Sequence, residues 1–106
     1  GLWSTVMDYP EFYREVSGSA GIAYGLMRSI EMGLLPTSER ATAIIERVLA
    51  AVLPHIGEDG VVEGVSGGTP VMPSIQAYQD EIATYPTLYG QGLVLMLLAE
   101  ALREEK

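Results

Sequence analysis

The chain has 106 residues, 48% of them hydrophobic and none of them cysteine, with 14 acidic against 6 basic side chains and a formal net charge of -8. That length suits one domain with a packed core, and the absence of cysteine excludes a disulfide framework, a thiolate metal site and a cysteine nucleophile. The acidic balance disfavours nucleic acid and anionic membrane as partners, because phosphate binding needs clustered Lys and Arg.

Residues 1–16 read as an extended loop. It carries the only tryptophan, Trp3, three rings (Tyr9, Phe12, Tyr13) and four charges (Asp8, Glu11, Arg14, Glu15). The sequence then turns small and apolar. Ser17, or next Ser19, is a suitable N-cap. From there Ala20, Ala23, Tyr24, Met27 and Ile30 recur at spacings of three and four, which predicts a helix over 17–32, stopped by Gly33. Gly18, Gly21 and Gly25 each cost a helix roughly 1 kcal/mol relative to alanine, and the expected return is close approach of another helix.

Thr37 or Ser38 caps a second predicted helix, 38–53. Its apolar face is Ile44, Ile45, Val48, Leu49, Val52 and Leu53, with Glu39, Arg40, Glu46 and Arg47 facing solvent. Pro54 ends it. Residues 57–88 show no sustained helical period. Asp59-Gly60 is a turn signal, and Val61, Val62 and Val65 with Gly67-Gly68 suggest a short β-hairpin-like loop. A short turn of helix fits at 74–80. A loop of this length is often functional. The last predicted helix, 90–104, is apolar all round through Leu93–Ala99, as expected of a helix buried on every side. Only two other helices are available to cover it, so the chain is expected to be incomplete or to associate as a homo-oligomer through Leu93, Leu97 and neighbours of helix 17–32.

The predicted fold is therefore all-α, a single domain over 1–106. Helices 17–32 and 90–104 share a polar, glycine-rich start and an apolar body, a weak internal echo of repeated helical hairpins. Their starts are expected at one end of the fold, with loop 57–88 beside them. The longest apolar run, Leu93–Ala99, is far short of the roughly 20 residues that a membrane span needs. No secretory signal pattern is visible, and the expected setting is cytoplasmic. The chain opens at Gly1-Leu2-Trp3 without a methionine, and this is read as the start of a fragment.

Candidate binding residues cluster at the polar loop ends. Trp3 is either a stacking platform for a sugar ring or a plug packing the end of the fold. Glu15 either binds a sugar hydroxyl or favours the positive end of a helix dipole. Ser17 and Ser19 are caps or ligands. Gly67, Gly68 and Thr69 either offer backbone N–H groups to a substrate carboxylate or form a tight turn. Tyr89 is a sugar-contacting phenol or a packing ring. GVSGGT lacks the lysine of a phosphate loop. His55, the only histidine, has no nucleophile partner in evidence, and Glu104-Glu105 reads as solvated tail.

GLWSTVMDYPEFYREVSGSAGIAYGL at 1–26, GVSGGTPV at 64–71 and YPTLYGQGLVLMLLAE at 85–100 together resemble the C-terminal part of glycoside hydrolase families 88 and 105, the unsaturated glucuronyl and rhamnogalacturonyl hydrolases. The resemblance covers essentially the whole chain, with the three segments in family order. It implies an (α/α)6 barrel of helical hairpins, of which this chain is roughly the last two and a half. It also implies an oligosaccharide substrate ending in a 4,5-unsaturated uronic acid, protonated at its double bond by an aspartic acid, with no metal or organic cofactor. The family's catalytic aspartates lie upstream, and Asp8, Asp59 and Asp80 do not fall in their motifs. No catalytic residue is therefore assigned, and the chain by itself is expected to be inactive. The alternative is a non-catalytic helical module that binds a partner through an exposed apolar helix.

Overall fold

The structure, a computed structural model, describes residues 1–105. Among these residues there are four helices: α1 (Val16–Glu31), α2 (Glu39–Val52), the short α3 (Ile75–Asp80) and α4 (Leu88–Glu104). Extended backbone pairs only as isolated bridges, Ser4 with Arg14, Ile56 with Val62 and Ser66 with Thr84. The fold is all-α, as expected. Among the described residues, no helix is long and apolar enough to cross a membrane.

Each helix has a local cause. α1 ends where Gly33 adopts φ +77°, a left-handed conformation that glycine enters without a Cβ penalty. The Gly33 and Leu34 N–H groups then bond back to Ile30 and Ser29 carbonyls at 3.1 and 2.8 Å, which satisfies the open carbonyls of the last turn. Ser38 caps α2 by accepting the Ala41 N–H. α2 is one-sided as expected: Ile45, Val48 and Val52 are buried, and Glu39, Arg40, Glu46 and Arg47 are exposed. Leu53 is a departure, since the chain tightens into a single 3-10 turn over Leu53–His55 around Pro54 and leaves Leu53 exposed. Ser74 caps α3, and Thr87 caps α4 by accepting the Gly90 N–H, so α4 starts two residues earlier than expected.

α1 and α4 run parallel. Gly21 faces Leu93, Arg28 lies beside Glu100 and Glu31 pairs with Arg103, so the contacts advance together along both helices. α2 returns antiparallel to α1, because its start and middle (Thr42, Ile45) share a groove with the end of α1 (Met27, Ile30). The core takes Val16, Ala20, Ala23 and Met27 from α1, Ile45, Val48 and Val52 from α2, and Val94 and Leu97 from α4, closed at one end by Val62 and Val65. Each buried Val, Ile, Leu and Met among them contributes about 1.5–3 kcal/mol.

Three expectations are corrected. α4 is not buried all round: Leu88, Leu95 and Leu102, seven residues apart and so on one face, are 94%, 65% and 62% exposed. α1, α2 and the loop cover only its other side. Leu97, expected at an intermolecular contact, lies wholly inside and Leu93 packs on the core. The α1 glycines do not serve close helix approach either. Only Gly21 faces α4, at ordinary contact distance, and a Cβ on Gly25 would meet nothing within 4 Å.

Candidate functional site

The N-terminal ends of α1 and α4 lie together, with residues 64–69 between them. The sequence explains why the three segments meet. Gly64 has φ +77°, and a Cβ there would stand 2.8 Å from Val16 and 2.9 Å from the His55 ring. On Gly90 a Cβ would stand 2.7 Å from Val65. A residue with a side chain at either position would push the segment away from one helix or the other. Gly67 is similarly confined, by the Tyr85 ring.

Glu15, not Ser17, caps α1. All four leading N–H groups of the helix are satisfied. Val16 donates to the Gly64 carbonyl at 3.0 Å, Ser17 and Gly18 donate to the Glu15 carboxylate at 3.2 and 2.7 Å, and Ser19 donates to the Glu15 carbonyl at 3.3 Å. The Ser17 hydroxyl donates to the same carboxylate at 2.5 Å, and the Ser66 N–H donates to its Oε1 at 3.1 Å. An N-cap carboxylate is favoured here by the helix dipole. Serine at 17 lost the cap because a carboxylate two residues earlier reaches the same donors with charge.

Ser66 is held from every side. Its N–H goes to Glu15, its hydroxyl is hydrogen-bonded to the Tyr13 hydroxyl at 2.6 Å, and its carbonyl accepts from the Tyr89 hydroxyl. Gln91 straps the preceding turn to α4, donating to the Gly60 carbonyl at 2.7 Å and accepting from Val62 N–H at 3.1 Å. That turn is the expected Asp59-Gly60 feature, with Asp59 accepting the Val61 N–H at 3.0 Å and Gly57 N–H bonding to the Val61 carbonyl.

An open concavity of about 530 Å³ lies over these residues, lined by Thr5, Glu15, Ser17, Ser66, Thr69 and Tyr89 among others. The structure thus brings together four of the six residues expected from the sequence: Glu15, Ser17, Thr69 and Tyr89. Tyr89 and Thr69 are exposed, and Thr69 donates to the Gly67 carbonyl at 2.9 Å. The other two lie in an adjoining hollow of about 130 Å³ that shares Thr5, Glu15 and Gly18. There Trp3 is half-buried and packs partly on the core. Ser19 is buried, and its hydroxyl accepts the Trp3 N–H at 2.9 Å and donates to the Glu15 carbonyl at 2.7 Å. Ser19 therefore fixes the tryptophan's backbone. Ser66 and Tyr13 were not foreseen. The serine inside GVSGG was the available signal, but its partners lie 51 and 53 residues away.

Among the described residues, no basic side chain lines either hollow. The one carboxylate, Glu15, has its oxygens occupied by internal donors. What remains at the surface is a set of hydroxyls and an aromatic ring, a combination suited to hydroxyl-rich ligands. The opposite end of the helix pair differs. A groove of about 400 Å³ there is lined by the apolar Met27, Ile30, Ile45 and Leu49 together with Thr37, Thr42 and the carboxylate-bearing Glu46 and Glu104, and no aromatic ring joins them. Beside it Glu31, Glu100 and Glu104 bring carboxylate oxygens within 4.8 Å of one another, but Arg28 and Arg103 supply the counter-charge. Arg103 bonds Glu100 at 2.5 Å and also pairs with Glu31. The Arg103 hydrogen bond holds the Glu100 carboxyl below its ordinary value, with further help from the charge of Arg28.

Comparison with known proteins adds the family. The model of Glycosyl Hydrolase Family 88 matches residues 1–105. The chain is 41% identical, over all of its 106 residues, to the unsaturated rhamnogalacturonyl hydrolase YesR of Bacillus subtilis (strain 168), of which it covers 28%. Among solved structures, a possible member of the GH105 family from Salmonella enterica serovar Paratyphi A superposes with a TM-score of 0.89 at 28% identity, over 99% of this chain and 27% of that one. A possible GH105 member from Klebsiella pneumoniae gives 0.86 at 28% identity, with the same coverage. The chain thus spans little more than a quarter of the length of these relatives. Its hairpin α1–α2 and the returning, parallel α4 form part of an (α/α)6 barrel.

Proposed function

The chain belongs to glycosyl hydrolase family 88, and on that premise we propose that it forms one wall of the substrate cleft of an enzyme acting on oligosaccharides that end in a 4,5-unsaturated uronic acid. One observation carries this reading: Ser17, Thr69 and Tyr89, distant in sequence, line a single concavity at the common end of two parallel helices. Their hydroxyl protons are held by Glu15, the Gly67 carbonyl and the Ser66 carbonyl, so their oxygens are left to accept from sugar hydroxyls, and the Trp3 indole in the adjoining hollow offers a face to a pyranose ring.

The chemistry needs an acid. The double bond is an enol ether, so a carboxylic acid gives its proton to C4 and water adds at C5. The ring then opens and the rest of the oligosaccharide is released. This wall supplies binding and orientation for that step. Its only carboxylate, Glu15, is acceptor to five internal donor contacts and is not placed as the acid. Asp59 serves its own turn, and Asp80 accepts from Gln76 at the exposed end of α3. Asp8 is exposed in the first loop and lines neither hollow, so the proton donor is expected from a part of the enzyme other than this wall.

Trp3, the only tryptophan, reports on the site directly. Titration of the chain with an unsaturated galacturonyl-rhamnose disaccharide is expected to change its fluorescence saturably, with no loss of the double-bond absorbance. No binding would overturn the cleft-wall reading, and turnover by the chain alone would overturn the assignment of the acid. A second reading, a helical module that associates through α4, is favoured by the exposed face at Leu88, Leu95 and Leu102.

A further inference from the structure

Glu15 joins two structures that are separate in the sequence. Through Ser17 N–H, Ser17 Oγ and Gly18 N–H it closes the first turn of α1. Through Ser66 N–H it reaches 51 residues along the chain to the segment that floors the concavity. Capping requires only the first set. An aspartate or serine at this position would cap α1 as well as glutamate does, yet either would be too short to reach Ser66. The extra methylene of glutamate, roughly 1.5 Å of reach, is what spans the gap.

The consequence passes from Ser66 to the groups that face the concavity. The Ser66 peptide is bonded on its N–H side by Glu15 and on its carbonyl side by Tyr89. Beyond it, Gly67 bonds through its N–H to Ala83 at 2.8 Å and through its carbonyl to Thr69. Fixing Ser66 therefore fixes the direction of the Tyr89 hydroxyl and the turn that presents Thr69.

We propose that Glu15 is the positioning residue of this concavity: its carboxylate ties residues 64–69 to the start of α1 and so sets Tyr89 and Thr69 in place, without itself contacting the sugar. The proposal rests on the cleft-wall reading for its link to binding, but its structural half stands alone and is tested alone.

The test compares Glu15→Asp and Glu15→Ser with the unaltered chain. Both substitutions keep a side chain that caps α1, and Glu15→Asp also keeps the charge. Amide hydrogen exchange of Ser66 and Gly67 is expected to accelerate about tenfold in both, the size of effect expected when one charge-assisted hydrogen bond is lost. Exchange within α1 and α2 is expected to stay unchanged. Affinity for the unsaturated galacturonyl-rhamnose disaccharide, read by Trp3 fluorescence, is expected to fall by a similar factor. Unchanged Ser66 exchange, or acceleration spread equally over α1, would make Glu15 a cap only and overturn the proposal. Faster Ser66 exchange with unchanged sugar affinity would overturn its functional half. If the unaltered chain binds no sugar, the cleft-wall reading fails while the exchange result still decides the structural tie.

Discussion

Arg28 on α1 stands 3.9 Å from Glu100 on α4, and this pair marks the end of the helix bundle opposite the concavity. With Glu31 and Arg103 it forms a four-member charge network between the C-terminal halves of two parallel helices. Glu100 is almost fully covered, so removing its charge leaves Arg28 and Arg103 with Glu31 alone.

The network gives a pH prediction. The Arg103 hydrogen bond, followed by a hydrogen bond with Glu31 and then the charges of Arg103 and Arg28, lowers the Glu100 carboxyl from its ordinary 4.5. A carboxyl lowered in the folded state binds fewer protons there than when unfolded, so it contributes stability above its unfolded value. That contribution is lost as pH falls through the lower folded value. Thermal melting should therefore find Glu100→Gln less stable than the unaltered chain at pH 7, with the gap closing in acid below pH 4.5. A gap independent of pH would show that packing, not charge, is what Glu100 supplies.

Two glycine-to-alanine substitutions in helices should have opposite signs. At Gly25 an added Cβ meets nothing within 4 Å, and alanine should stabilise by roughly 0.5–1 kcal/mol through helix propensity. At Gly90 it would stand 2.7 Å from Val65. The overpacking there should cost about 1–3 kcal/mol, enough to outweigh the propensity gain. Urea unfolding of both variants checks the pair, and equal effects would mean that Val65 does not press on α4.

Leu97→Ala should lose about 2–5 kcal/mol, the range for truncating a buried leucine, because Leu97 is completely covered. Leu95, on the exposed face of α4, should behave otherwise. Leu95→Glu is expected to keep the helix content seen by circular dichroism and to lower association in light scattering. Loss of fold in Leu95→Glu would place that residue in the core and contradict the burial described above.

Much of this arrangement is legible in the sequence. The periodicity of Ala20, Ala23 and Met27 and of Ile45, Val48 and Val52 located α1 and α2, and Gly33 marked a stop that the structure realises with a left-handed turn. The polar starts of α1 and α4 were expected at one end, and they lie there. What periodicity does not carry is which side of an apolar helix finds a neighbour, so the all-round apolar run of α4 predicts full burial although Leu95 and Leu102 are exposed. The cap of α1 departs from local preference for a related reason. Ser17 is a good cap by local preference, and the advantage of Glu15 comes partly from Ser66, a residue that no local rule connects to it. The Ser66–Tyr13 contact escaped for the same cause, since two hydroxyls far apart in sequence carry no spacing signal.

The central claim is that the joined N-terminal ends of α1 and α4 hold a sugar, and amide chemical shifts test it most directly. Titrating the isotopically labelled chain with the unsaturated galacturonyl-rhamnose disaccharide should move the resonances of Gly18, Gly67, Gly68, Thr69 and Tyr89 together along one saturable curve. Those of Met27, Ile45 and Glu100, at the opposite end, should stay still. Shifts confined to the Met27–Ile45 groove, or no saturable shift anywhere, would contradict the account.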